Sequence, residues 1–174
     1  MPAGYRDQNR IAIPTAFPGH VPEREVSRQC RAIFKTFAWA LDISRCNVGQ
    51  WTDSRGHRVR YGTVGAPDYL GQFKSIGGRW DGRMIGVEIK RSDFDPTRLL
   101  ESQRRGPSGL SRSRWQAIKH WHDQLTFLKT VNNNGGVGLW TRDAGELALA
   151  LGRIVNDGVS VTIDAHGFCW LEDG

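Results

Sequence analysis

A chain of 174 residues and 19.5 kDa, 39% hydrophobic with seven tryptophans, is long enough for one buried core and too apolar to be disordered throughout. No run approaches the ~20 apolar residues of a membrane span and the N-terminus lacks a secretory apolar core, so the cytoplasm is the expected location and a membrane is not an expected partner. A net charge of +6 and a pI near 9.6 favour a polyanion, nucleic acid first, through counterion release.

In chain order, residues 1–21 mix Pro2, Gly4, Pro14, Pro18 and Gly19 with scattered charge and no sustained period, which reads as a flexible arm. A helix is predicted from Pro22. Glu23 and Glu25 suit its positive end, and Val26, Cys30, Ile33, Phe34, Phe37 and Leu41 form a stripe to face a sheet. Residues 42–56 are polar and glycine-bearing, His57 to Tyr61 alternate weakly, and segments near Tyr69–Phe73 and Met84–Lys90 read as successive strands. Residues 92–113, rich in Ser, Arg, Gly and Pro, read as a mobile basic insertion with a short helix around Thr97–Gln103. Trp115, Ile118, Trp121, Leu125 and Leu128 then recur at helical steps, ending near Asn132-Asn133-Asn134-Gly135. Gly136–Thr141 reads as a buried strand, Asp143 to Leu151 as a helix, and Ser160–Asp164 with Gly167–Leu171 as a hairpin extending the same domain over 152–174. Cys30, Cys46 and Cys169 fall in no metal or redox spacing, and His120 and His122, two apart on a helix, diverge.

The chemistry concentrates in Gly65-Ala66-Pro67-Asp68-Tyr69-Leu70-Gly71 and Gly86-Val87-Glu88-Ile89-Lys90. Strand alternation puts Ile85, Val87 and Ile89 on one face and Glu88 and Lys90 on the other, roughly 6 to 7 Å apart. Pairing of the two strands would bring Asp68 beside Glu88, and close carboxylates repel unless a cation intervenes. Two carboxylates and the Ile89 carbonyl suit Mg2+, with Mn2+ able to substitute, leaving positions for water and a phosphate oxygen. Lys90 would orient the attacking water and share charge building on phosphorus.

The order helix, Asp strand, Glu-x-Lys strand, long helix, Gly-Gly strand and helix resembles the PD-(D/E)xK nuclease superfamily, specifically its VRR-NUC and Holliday-junction-resolvase-like members common in phages. The resemblance spans roughly residues 23 to 151, on Glu25, Val59-Arg60 with Gly62, the Asp68 and Glu88 segments, Gln124 with Phe127-Leu128, and Gly135-Gly136. It implies an α/β restriction-endonuclease-like fold with a central mixed sheet flanked by helices, a nuclease core over 22–151, and divalent-metal-dependent DNA cleavage leaving a 5′-phosphate, in the host cytoplasm if phage-encoded. Carried over, Asp68, Glu88 and the Ile89 carbonyl are metal ligands, Lys90 the catalytic lysine, Glu25 an accessory acid near the metal, and Gln124 a polar residue at the site's edge. Glu23 competes with Glu25 for its role. The stretch from Lys90 to Gln124 and the C-terminal hairpin exceed the compact family pattern.

Residues 83–119 carry nine Lys or Arg against four Asp or Glu. Arg58, Arg60, Arg91, Arg98, Arg104, Arg105, Arg112 and Arg114 are the expected phosphate contacts, with Trp80 or Trp115 to stack on unpaired bases. Replacing Asp68 or Lys90 by alanine is expected to abolish cleavage with folding nearly intact. The alternative reading is a non-catalytic nucleic-acid-binding module on the same scaffold, and a homodimer is left open.

Overall fold

The computed structural model describes residues 10–12, 20–46, 49–52, 58–61 and 65–172. Its elements are β1 (Arg10–Ala12), α1 (Glu23–Thr36), β2 (Leu41–Arg45), β3 (Gly49–Thr52), β4 (Arg58–Tyr61), β5 (Tyr69–Phe73), β6 (Met84–Ile89), α2 (Pro96–Arg105), α3 (Arg112–Asn133), β7 (Val137–Thr141), α4 (Ala144–Asp157), β8 (Ser160–Ile163) and β9 (Cys169–Glu172). The protein is mixed α/β. A four-stranded central sheet of order β2-β5-β6-β7 is antiparallel except for the parallel β6–β7 pair, whose crossover carries α2 and α3. A three-stranded sheet runs β1-β9-β8, and β3 pairs with β4. No helix among the described residues is long and apolar enough to cross a membrane.

Both faces of the central sheet are covered, which explains why β6 and β7 are buried at almost every position. Tyr69 and Val87 are paired and share a face, and Tyr69 packs on Phe34 of α1 at 4.9 Å between ring centroids. Ile85, Val87 and Ile89 therefore face α1, which itself packs beside α4. Gly86 faces the opposite way, toward Leu128 of α3. Gly86 pairs with Gly138, where a Cβ would overlap the Leu128 backbone, so the glycine lets α3 lie close on the parallel strands.

Several expectations change. Part of the N-terminal arm, Arg10–Ala12, is a strand on the outer edge of β9. Leu41 does not extend the α1 stripe. The helix stops at Thr36, and Leu41 opens β2, paired with Phe73. The polar 42–56 stretch holds the rest of β2 and all of β3, whose hydrogen-bond partners come from β5 and β4 instead of local apolar alternation. The short helix expected around Thr97–Gln103 is present as α2, which is longer at ten residues, with Asp95 accepting from the Thr97 amide at its start. The boundary expected after Leu151 falls inside α4, which continues to Asp157. Trp80 is buried against Phe73 and is not placed to stack on a base; Trp115 is half-buried.

Candidate active site

The turn before β5 is anchored from two sides. Gly65, at φ +80°, sits against the Asp123 backbone of α3 where a Cβ would clash, and the Asp68 carbonyl accepts from the Cys46 amide, extending the β2–β5 ladder. Because Tyr69 pairs with Val87, Asp68 stands opposite Glu88. The two acids interlock through the backbone. The Asp68 amide donates to Glu88 Oε2 at 3.0 Å, and the Ile89 amide donates to Asp68 Oδ2 at 2.9 Å.

Lys90 follows the last residue of β6 and lies on the same face as Glu88. Its Nζ donates to Glu88 Oε1 at 2.5 Å and to Gln124 Oε1 at 2.9 Å, while Gln124 Nε2 donates to Glu88 Oε1 at 2.7 Å. Gln124 reaches this position through register: one helical turn separates it from Leu128, and two strand residues separate Glu88 from Gly86, distances of roughly 6 Å in each case. With Leu128 seated over Gly86 and Gly138, Gln124 falls over Glu88. Glu88 is 1% exposed and Gln124 4%, whereas the Lys90 side chain retains 12%. The ammonium also lies 5.2 Å from the Trp121 ring centroid and 5.6 Å from that of Phe94, within cation–π range of both.

Burial raises the Glu88 carboxyl to about 7; the Lys90 charge opposes this rise and the Asp68 charge adds to it. This is a carboxylate short of counter-charge. The available donors are hard oxygens, two of them from carboxylates, which fits a small divalent cation that keeps several waters. An ionised carboxylate has about four acceptor positions. Three hydrogen bonds reach Glu88 among the described residues, which leaves Oε2 able to take a further ligand. Among those residues no three His, Cys, Asp or Glu side chains gather as a metal group.

Glu25 stands apart from this cluster. Its carboxylate takes both Arg28 donors, at 2.9 and 2.6 Å, and Gln29 Nε2 at 3.0 Å, and these hydrogen bonds hold it down at about 2. Glu23 instead lines, with Lys90 and Gln124, a cleft of about 1040 Å3. Helical spacing left these two acids in competition, and only the packing of α1 separates them. Arg91, Arg98 and Arg114 line the same cleft, and Arg112 is exposed at the start of α3. Two of the cleft arginines have acidic partners: Arg91 Nε lies 3.0 Å from Asp93 and Arg98 Nε 3.4 Å from Asp95. The side chains of Arg58, Arg60, Arg104 and Arg105, together with Gly62, lie outside the described residues.

Sequence reasoning passed over Arg142, a buried arginine that also lines the cleft. The signal was its place directly after a strand parallel to β6, since ligands gather at the carboxyl ends of parallel strands. No family model, curated protein or solved structure matches this chain.

Proposed function

We propose that the protein is a Mg2+- or Mn2+-dependent endonuclease of the PD-(D/E)xK type that hydrolyses DNA phosphodiester bonds, and that its four-stranded sheet is a restriction-endonuclease-like core. The single observation behind this reading is the hydrogen-bonded group of Asp68, Glu88, Lys90 and Gln124 beside a cleft lined by arginines. Asp68 and Glu88 would hold the cation, with the Ile89 carbonyl, because the Ile89 amide already points to Asp68 and an extended residue sends N–H and C=O to the same neighbour. The cation, when bound, supplies the Lewis-acid chemistry that polarises a phosphate and acidifies water.

The remaining work falls to this chain's own groups. Lys90, fixed by Glu88 and Gln124, offers its ammonium to the attacking water and to the phosphate oxygen that gains charge. Gln124 holds both Lys90 and Glu88, so it orients the pair and needs no contact with substrate. Glu23 replaces Glu25 as the acid facing the cleft.

The decisive assay offers plasmid, flap, nicked, four-way-junction and single-stranded DNA, with a matched RNA duplex, in Mg2+, Mn2+ and EDTA. Cation-dependent cutting that falls about 100-fold or more in Asp68→Asn and Lys90→Met is expected. Lys90 partners a buried carboxylate, so its removal costs stability, and each variant's melting temperature must accompany its rate. One observation favours the non-catalytic alternative: Glu88 Oε1 is already engaged by Lys90 and Gln124, so that oxygen is satisfied by the protein without a metal. DNA binding without nicking in either cation would establish that alternative.

A further inference from the structure

The cleft beside Lys90 has on its floor a cation of a different kind from the exposed arginines at its rim. Thr141 pairs in parallel with Ile89, so Arg142 is the neighbour of Lys90 across the ends of β6 and β7. Trp140 packs edge-on against Trp121 of α3, 5.8 Å between centroids, and alternation from Trp140 sends Arg142 to the α3 face that Lys90 occupies. The Arg142 guanidinium lies 6.0 Å from the Trp140 ring centroid, its Nη1 donates to the Phe94 carbonyl at 2.5 Å, and only 7% of the residue is exposed. Arg142 and Lys90 line one cleft.

Burying a guanidinium is costly, and an apolar residue of similar size would support this floor as well or better. Burial does lower the Arg142 pKa, against the opposing charges of Glu146 and Asp95. Asp95 also pairs with Arg98, which ties the rim of the cleft to its floor. A planar donor fork locked in place by packing is suited to the oxygens of a phosphate, more so than a flexible surface lysine or arginine.

We propose that Arg142, with Arg98 and Arg114 lining the same cleft, forms a phosphate-binding subsite beside Lys90 that holds a substrate phosphate other than the one attacked. This rests on the nucleic-acid reading of the cleft and not on hydrolysis. The phosphate is either a terminal monoester or a backbone diester.

The test is equilibrium binding in EDTA, by fluorescence anisotropy, of a short labelled DNA duplex bearing a 5′-phosphate or a 5′-hydroxyl. The full chain is compared with Arg142→Met, Arg142→Lys and Arg98→Ala. Arg142→Met is expected to weaken binding about tenfold and to lower the salt slope by about one, with Arg142→Lys in between. If the terminal monoester is the ligand, removing it from wild-type substrate reproduces the Arg142→Met loss; if the diester is, the loss is equal on both duplexes. Wild-type affinity and salt slope in Arg142→Met overturn the proposal, as does wild-type protein that binds neither duplex. Should Arg142→Met fail to fold, unchanged affinity in both Arg142→Lys and Arg98→Ala overturns it. Because no cation is present, Arg142-dependent binding by a protein that never nicks DNA sinks the nuclease reading alone. Cutting at wild-type rate by an Arg142→Met that binds normally sinks this one alone.

Discussion

Glu146 sits in the first turn of α4 at 8% exposure, and burial raises its carboxyl to about 7, with Arg142 opposing and Asp143 adding. An unfolded glutamate titrates near 4.5. Between these values the folded protein keeps a proton that the unfolded chain has released, so stability falls as pH rises through the window. At about 1.4 kcal/mol per pKa unit this amounts to a few kcal/mol at most, reduced by solvent screening. Glu88, raised by its own burial, contributes a slope of the same sign in the metal-free protein. Urea midpoints in EDTA at about pH 5 and pH 7 should therefore drop for wild type and drop less for Glu146→Gln. Equal behaviour of the two proteins would remove Glu146 from the account. At this scale the sequence was partly legible. A two-residue period put Lys90 beside Glu88, and the family resemblance put Gln124 at the edge of their site. Which of Glu23 and Glu25 turns to the cleft, and that Arg142 and Glu146 are buried, depended on neighbours distant in the chain.

The element that assembles the cluster is α3, seated over the paired Gly86 and Gly138. Gly138→Ala places a methyl group against the Leu128 backbone. It should cost about 1–3 kcal/mol and shift α3, taking Gln124 off Glu88, so any nuclease activity should fall more than stability alone explains. Thermal melts and the cleavage rate at a temperature where the variant is folded separate these effects; a rate equal to wild type would show that the seating of α3 does not position the site. For α4 the cap is local. Asp143 accepts from the Gly145 amide at 2.7 Å and the Glu146 amide at 3.0 Å, and Asp143→Ala should lower stability in a urea melt by about 1 kcal/mol. The long helix, the buried β7 strand and the β5–β6 pair were legible because their apolar spacing is strong and local. β2 was not: Asp42 and Ser44 dilute its pattern, and its partner β5 lies beyond β3 and β4 in the chain.

Across the whole molecule, the N-terminal residues Arg10–Ala12 close the far edge of the second sheet against β9. Deleting residues 1–12 should leave the central sheet protected while the β9 amides that face β1 exchange faster with deuterium. Unchanged exchange across Trp170–Glu172 would mean that β1 adds no protection there. The same scale decides the site's electrostatics. Most of the net charge of +6 falls within residues 83–119, and Lys90, Arg91, Arg98 and Arg114 of that stretch meet the distant Arg142 at one cleft because α2 packs on α3 and α3 covers β6 and β7.

Sequence alone established the mixed α/β character, the strand pair carrying Asp68 and Glu88, and the shared face of Glu88 and Lys90, since each follows from local periodicity and turn chemistry. Tertiary structure alone decided that the Glu88 face is buried beneath α3, that Gln124 closes the Glu88–Lys90 pair, that Glu25 turns to Arg28, and that a buried arginine lies beside the lysine. These depend on which face of the sheet each helix covers and at what register. Hydrogen bonds between distant segments set that register, and no local pattern encodes it.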